Sequence, residues 1–384
     1  MDFVLSEEQK LLRDSLHRFF AAEYPFEKRQ QVVRERMGFS AKLWQAMAEL
    51  GVLAIPFDVE RGGFGGLGVD SYIAFEAMGK ALACEPAIST LALGACLLNE
   101  GGSSEQQEEM IPAIIAGELI VAVGFYEPQS RFNLANVQTT ADKIEDGYVI
   151  NGTKSVVYAA PQAKMIFISA RTSEKTLDQH GVSIFAIDVG ASGIDRRDYP
   201  TVDGFSASEL CFDAVHVGAD ALVGIEGKGF ALAEHAVDTA VVACCAEAVG
   251  NMEALIERTL EHCKTREAFG QPISSFQVIQ HRLVDMQVAY EHAAAITMRA
   301  AKLLKGVPVE RSAAAAAAKV QVNKEAEFVG TNAVQLHGAM GMTEELDIGH
   351  FFKRLVALGS SFGDTNYSIR RYMQYNKYRD RSRI

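Results

Sequence analysis

An α+β fold is predicted for the 384-residue chain, in which a helical segment, a β-rich segment and a second helical segment follow one another. Apolar residues recur at helical spacing up to about Gly117, short β-rich runs occupy residues 120–223, and long helical patterns resume at Gly227. The expected domains are residues 1–119, 120–226 and 227–384. Because no helical pattern separates the strands, we expect the middle domain to be an antiparallel barrel or sandwich.

The first domain opens with an acidic helix start at Ser6, followed by apolar residues at helical spacing from Leu11 to Phe20. Further helices are expected near residues 41–50, 71–82 and 104–116. The loop Gly63-Phe64-Gly65-Gly66-Leu67-Gly68 matches the dinucleotide-binding fingerprint as a string. That fingerprint needs a preceding strand, whereas a helical pattern precedes this loop, so we interpret it as a turn between helices.

Strands of the middle domain are expected at residues 120–125, 148–151, 165–170, 182–187 and 209–217. Helices of the last domain are expected at 230–266, 275–304 and 309–337, with a final pair after Asp347. Long helices of this kind usually pack as a four-helix bundle, and the six alanines at 313–318 allow close helix approach.

The composition excludes several classes of function. A formal net charge of −12 argues against a general attraction to nucleic acid. Six cysteines without a C-x-x-C pair are expected to be buried thiols, and the sequence has neither a metal-type histidine pair nor a G-x-S-x-G motif. The N-terminus lacks a leader pattern, and the nearest candidate for a membrane span, residues 231–248, contains several ionisable side chains. A cytoplasmic protein without membrane insertion is expected.

Four motifs occur in a specific order along this α–β–α chain, and the second contains R-x-x-F-G-x-P-I followed by F-Q-x-x-Q. Together they resemble the flavin-dependent acyl-CoA dehydrogenase family over essentially the whole chain. Within the family, the sequence is most similar to small subunits of pimeloyl-CoA dehydrogenases. The motifs are Phe125-Tyr126-Glu127-Pro128, residues 266–280, Gln335-Leu336-His337-Gly338-Ala339-Met340-Gly341-Met342-Thr343, and Phe362-Gly363-Asp364-Thr365.

The resemblance implies an acyl-CoA dehydrogenase fold with a middle β-barrel, and FAD bound between the β domain and the C-terminal bundle. Arg266 would offer a charged fork to the pyrophosphate. Phe269 would pack near the adenine, and Gly338 would let the backbone approach the ligand closely. The full set of implied cofactor-binding residues is Tyr126, Pro128, Tyr158, Arg266, Phe269, Gln277, Gln335, Gly338 and Ala339.

The reaction implied by the resemblance needs a carboxylate to remove the α-proton of a thioester. The family carries this glutamate at one of two positions, which correspond here to Phe362 and Ala240. Neither residue can accept a proton. Three interpretations stay open: a partner subunit of a hetero-oligomer carries the base; a relocated carboxylate such as Asp364, or less favourably Asp238, replaces it; or the fold performs other flavin chemistry or only binds.

The substrate and partners are also implied by the resemblance. We expect an acyl-CoA substrate, with a dicarboxylyl, steroid side-chain or other unusual acyl chain, and an electron-transfer flavoprotein or similar acceptor. Arg131, in the loop after the first motif, is a candidate anchor for a distal carboxylate. The expected assembly is a homo- or hetero-tetramer, in the latter case with an acyl-CoA dehydrogenase large subunit.

Overall fold

The computed structural model describes residues 5–36, 38–66, 68–173 and 176–381. Its backbone contacts divide the chain into two units, which we describe separately. Unit 1 comprises Met1–Gln30, Gly68–Ala83 and Val241–Ile384, and unit 2 comprises Gln31–Leu67 and Cys84–Ala240. The order of helical, β-rich and helical segments predicted from the sequence is therefore present along the chain.

The described residues form eleven α-helices, and a π-helical segment, Ile88–Gly94, leads directly into the fifth. The helix at Phe26–Arg36 and the π-helical segment were not predicted, because neither shows a clear apolar period. The helices are α1 Glu7–Glu23, α2 Phe26–Arg36, α3 Ala41–Glu49, α4 Val69–Lys80, α5 Ala95–Gly101, α6 Ser104–Ile115, α7 Gly229–Thr265, α8 Gln277–Lys302, α9 Pro308–His337, α10 Asp347–Ser360 and α11 Thr365–Arg381.

Unit 1 consists largely of helices that pack through small residues. Helix α1 starts at a capping box, in which the Ser6 hydroxyl accepts the Gln9 N–H and the Gln9 side chain accepts the Ser6 N–H. Helices α4 and α7 approach so closely at Gly79 and Gly250 that a Cβ on Gly250 would lie 1.9 Å from the Glu76 carbonyl oxygen. Only glycine fits this crossing, which brings the charged side chains of both helices together.

Unit 2 contains an eight-stranded sheet within the described residues, in the order β6-β7-β3-β2-β4-β5-β8, with β1 beside β4. Most neighbours are antiparallel, as predicted, but β1 pairs with β4 in parallel and β2 meets β4 in parallel at one position. The strands are β1 Val121–Gly124, β2 Thr140–Ile144, β3 Gly147–Tyr158, β4 Met165–Arg171, β5 Val182–Asp188, β6 Ile194–Pro200, β7 Ser206–Gly218 and β8 Leu222–Val223.

Three features bear on the composition-based expectations. Helix α7 is long and apolar enough to cross a membrane by length and composition, yet 94% of its most apolar window is buried, as is typical of a core helix. None of the six cysteines, all of which lie in the described part of the chain, forms a disulfide. Five are buried, whereas Cys211 on β7 is exposed and corrects the expectation for that residue. No group of three potential metal ligands occurs among the described residues.

The glycine-rich loop lies between a short 3₁₀ turn at Val59–Arg61 and α4, so it follows a helical turn as the sequence predicts. Gly63 is required there, because a Cβ would lie 2.1 Å from the carbonyl oxygen of Phe57. Leu67 of this loop is outside the described residues.

Candidate active site

The sequence-predicted residues of unit 2 lie at the end of β1 and along β3. Tyr126 follows β1 and is half-buried, and its carbonyl accepts the Ser155 N–H of β3 at 2.9 Å. Tyr158 ends β3, is also half-buried, and its carbonyl accepts the Ser89 hydroxyl at 3.2 Å. The Ser155 link therefore holds the turn after Tyr126 against the strand that carries Tyr158.

A buried ion pair fixes that same turn. The Lys154 ammonium donates to Glu127 Oε1 at 2.6 Å, and both side chains are almost completely buried. The Glu127 carboxylate also accepts the backbone N–H groups of Gln138 and Thr139, at 2.8 and 3.1 Å. Burial by itself raises the pKa of Glu127, but the charge and hydrogen bond of Lys154 outweigh it and lower the pKa to about 2. Glu127 is thus an ionised, fully engaged group that orders the turn.

Backbone strain occurs beside this pair, at Val156. The residue has φ +52° at an irregularity between Lys154 and Val157, where the pairing of β3 with β7 shifts register. A left-handed conformation is a genuine outlier for a β-branched residue, and strain of this kind concentrates at functional sites. The Val156 side chain is 44% exposed, so the bulge presents it to the surface of unit 2.

Arg131 lies in the turn after the first motif. It is exposed, adopts φ +50°, and its guanidinium carbon lies 5.9 Å from the centre of the Phe132 ring. Pro128 of the same turn is also exposed.

In unit 1, Arg266 directly follows α7 and starts a two-stranded hairpin of β9, Glu267–Ala268, and β10, Gln271–Pro272. Its N–H donates to the His262 carbonyl and its carbonyl accepts the Ile273 N–H, both at 2.8 Å. Phe269 and Gly270 form the tip, each with positive φ, and Phe269 is 97% exposed. The hairpin therefore holds the backbone of Arg266 firmly while its side chain remains exposed.

The other predicted residues of unit 1 lie at the start of α8 and the end of α9. Gln277 and Gln335 carry exposed amides. Gly338 ends α9 with φ +63°, and no described atom lies within 4 Å of the position that its Cβ would occupy. Ala339 and Met340 follow it on the exposed 3₁₀ turn Gly338–Met342.

The chemistry of this donor set suits FAD. The exposed guanidinium can bind a pyrophosphate, and the two exposed amides can bind hydroxyl and carbonyl groups. The open glycine turn admits a ligand close to the backbone, and the exposed aromatic ring can pack against an adenine. The backbone positions of Arg266 and Gly338 are fixed by hydrogen bonds and by the helix end. The residues present therefore fit the flavin cofactor.

The positions implied for a catalytic base hold no carboxylate. Phe362 adopts φ +57° in the turn between α10 and α11, and Ala240 in α7 is completely buried. Gly363 must be glycine, because its φ is +134° and a Cβ would lie 2.7 Å from the Tyr367 ring. Asp364 Oδ1 accepts the Tyr367 N–H at 2.7 Å and so caps α11.

Sequence reasoning missed Lys154 and Glu253. Lys154 is completely buried within β3, and its position between polar residues gave no sign of this. Burial, and then a hydrogen bond with Glu76, raises the pKa of Glu253 in α7 to about 7. The glycine at 250, three residues before Glu253, was the available signal for the close helix crossing that brings these carboxylates together.

Comparison with known proteins agrees with this arrangement. A short-chain-specific acyl-CoA dehydrogenase from Clostridium acetobutylicum is 32% identical over 353 residues, which are 91% of this chain and 92% of the relative. The FAD complex of PigA superposes with a TM-score of 0.90 at 26% identity, covering 99% of this chain and 100% of that chain. Butyryl-CoA dehydrogenase from Megasphaera elsdenii superposes with a TM-score of 0.89 at 26% identity, covering 97% and 99%.

Family models match in three consecutive segments. The models described as acyl-CoA dehydrogenase N-terminal, middle and C-terminal domain match residues 6–118, 122–215 and 227–373. The predicted fold class and the FAD cofactor are thereby confirmed. The chain belongs to the acyl-CoA dehydrogenase family of FAD-dependent oxidoreductases.

Proposed function

We propose that this chain serves the α,β-dehydrogenation of an acyl-CoA thioester as one subunit of a hetero-oligomer whose other subunit supplies the catalytic base. The observation that carries the proposal is the replacement of both family base positions by side chains that cannot accept a proton, Phe362 and Ala240. The resemblance to small subunits of pimeloyl-CoA dehydrogenases that we expect from the motifs would fit the same division of labour.

The reaction removes one proton from the α-carbon and one hydride from the β-carbon of the acyl group. Bound FAD supplies the two-electron acceptor for the hydride. Arg266, Phe269, Gln277 and Gln335 would hold the cofactor, while Tyr126 and Tyr158 would contribute hydroxyl groups beside it. Because the chain offers no family base, the proton would leave, in this proposal, to a carboxylate on another subunit.

A second candidate function is a homo-oligomeric enzyme that uses Asp364 as its base. The observation in its favour is a half-exposed carboxylate two residues after Phe362. Against it stands the hydrogen bond from the Tyr367 N–H, which engages one carboxylate oxygen as a helix cap. Because this contact gives Asp364 a structural role in α11, we favour the partner-subunit function.

Several finer expectations belong to this proposal. Arg131 is exposed in a turn with positive φ, and its guanidinium suits the distal carboxylate of a dicarboxylyl chain. An electron-transfer flavoprotein or similar acceptor would reoxidise the flavin, and the cytoplasm is the expected compartment. An exposed apolar stripe on α8 supports a tetrameric assembly; its members are Val278, Val284 and Val288, at 65%, 60% and 47% exposure.

The deciding experiment is an anaerobic titration of the purified chain, without any partner, with a panel of acyl-CoA thioesters while flavin absorbance is recorded. The proposal expects a yellow protein that binds acyl-CoA without bleaching. Rapid bleaching by the isolated chain would refute it and favour Asp364. Oxygen consumption by the prereduced protein, in preference to transfer to an acceptor protein, would favour other flavin chemistry.

A gain-of-function variant sharpens this result. Phe362→Glu restores a carboxylate at the family position and keeps a non-glycine residue at φ +57°, so the backbone strain is little changed. We expect measurable bleaching by acyl-CoA with this variant and none with the matched control Phe362→Gln, which has the same shape but no base. Equal silence of both variants would mean that the pocket has diverged beyond the loss of the base.

A further inference from the structure

Two histidines stack at the ends of two long helices in unit 1. His262 lies in the last turn of α7 and His337 is the last residue of α9, with ring centroids 4.3 Å apart and ring planes at 26°. His337 is 8% exposed, and its Nδ1 lies 2.9 Å from the Ala333 carbonyl oxygen. Because a carbonyl only accepts hydrogen bonds, His337 Nδ1 carries a proton and donates it to that oxygen.

Each histidine is linked through its backbone to a residue of the candidate FAD site. The carbonyl of His262 accepts the Arg266 N–H at 2.8 Å. Gly338 follows His337 in the chain, and the turn after it folds back until a Cβ on Gly341 would lie 3.1 Å from the His337 Cβ. The stack therefore joins the segment that carries Arg266 to the open glycine turn.

We propose that the His262–His337 stack is a positioning device for FAD: the two stacked imidazoles set the spacing between Arg266 and the Gly338 turn. This inference rests on the proposed use of these residues for the cofactor. Neither histidine needs to touch FAD, because the stack acts through the ends of α7 and α9. A merely structural pair would stabilise the fold without changing cofactor affinity, which distinguishes the two roles.

The stack depends on the absence of charge. Burial, then His337, then Arg266 lower the pKa of His262, since a second positive charge beside them is unfavourable. The charged neighbours on its own helix, Glu261 and Lys264, pair with each other at 2.7 Å. Because the pKa of His262 is lowered, its protonation below the ordinary histidine pKa of about 6.5 opposes the folded arrangement, so acid is expected to weaken the stack.

The test measures FAD affinity of the apoprotein by flavin fluorescence between pH 5.5 and 8. Wild type is expected to bind FAD several-fold, and at most about tenfold, more weakly at pH 5.5 than at pH 7.5. His337→Leu, which removes the stack, is expected to bind about tenfold more weakly at pH 7.5. His337→Phe keeps an aromatic partner for His262, so it should bind FAD near wild-type strength at pH 7.5. The exposed His216→Phe in unit 2 is the control and should match wild type throughout.

Wild-type affinity in His337→Leu at every pH would overturn the inference. Should that variant fail to fold, His262→Leu tests the same stack from its half-buried partner, with the same expected loss and the same refuting result. Failure of the FAD site itself has another signature. If the FAD site is wrong, Arg266→Ala should bind FAD as tightly as wild type at pH 7.5. If only the stacking inference is wrong, Arg266→Ala should bind FAD weakly while His337→Leu binds it as tightly as wild type.

Discussion

The Glu127–Lys154 pair in unit 2 allows a quantitative prediction about stability. The fall of the Glu127 pKa from 4.5 to about 2 corresponds to about 3 kcal/mol in favour of its ionised form, at 1.36 kcal/mol per pH unit. Burial lowers the pKa of Lys154 from 10.5 to about 8, which corresponds to about 3 kcal/mol against its charged form. Both shifts contain the same Glu127–Lys154 attraction, so they are not added. Burial penalises both charges and the attraction offsets that penalty, so the intact pair should contribute little net stability while each partner depends strongly on the other.

Single and double variants separate these effects. Lys154→Met leaves a buried carboxylate without its cation and should lower the free energy of unfolding by about 3–5 kcal/mol, and Glu127→Gln should cost a similar amount by leaving the ammonium alone. The double variant should lie within about 1.5 kcal/mol of wild type. Its introduced glutamine can still accept a backbone N–H, and its introduced methionine fills the volume of the lysine stem.

Hydrogen–deuterium exchange of β1 and β3 amides in urea reports the opening of this unit separately from the rest of the chain. An additive loss of about 6 kcal/mol or more in the double variant would refute the reasoning, because each single loss arises from the unpaired partner. The direction in which stability changes with pH gives an independent check. Since the Glu127 pKa is below 4.5 in the folded state, its contribution is present above pH 4.5 and is lost as the pH falls towards 2.

Three further predictions follow from the same kind of reasoning. Arg266→Ala should lose FAD on gel filtration, whereas Lys264→Ala should keep it, because Lys264 is an exposed neighbour that pairs with Glu261 at the surface. Equal retention of FAD by both variants would mean that Arg266 is not the main cofactor contact. Asp364→Ala should lower the free energy of unfolding by about 1 kcal/mol through loss of the α11 cap, and Asp364→Asn should restore it. If acyl-CoA bleaches the flavin of the wild-type chain but not that of Asp364→Asn, Asp364 acts as a base instead. Burial and Glu76 raise the pKa of Glu253 to about 7, so ionisation of Glu253 destabilises the fold as the pH rises from 4.5 through 7. Glu253→Gln should therefore raise the melting temperature at pH 8 but change it little at pH 5. An equal change at both pH values would contradict this reasoning.

The long elements were predictable because burial imposes a period on their sequences. Helices at 229–265 and 308–337 begin within a residue or so of their expected positions, since apolar spacing and a Pro at the start of α9 define them. Strands β2 and β6 were missed because most of their residues are exposed and several are charged, so neither shows alternation. The parallel pairing of β1 with β4 depends on contacts distant in sequence, which no local pattern contains.

The candidate site was only partly predictable, for physical reasons that differ between its residues. Arg266 and Gly338 stand in motifs that resemble those of the family, so they could be proposed as cofactor residues without coordinates, and their roles stay a prediction. The cap formed by Asp364 and the burial of Lys154 are tertiary facts, because either residue could equally well be solvated in another fold. The stack of His262 on His337 joins residues 75 positions apart and likewise has no sequence signature.

The uneven exposure of the thiols has a practical consequence for labelling. Burial raises the pKa of Cys244 and Cys245 to about 11 and 12, and all of the cysteines but Cys211 are buried, so maleimide reagents should modify Cys211 alone in the native protein. A single fluorophore can therefore be attached to β7 without removing any natural cysteine. After a short pulse of reagent, each further adduct detected by mass spectrometry then reports that a region around a buried cysteine has opened.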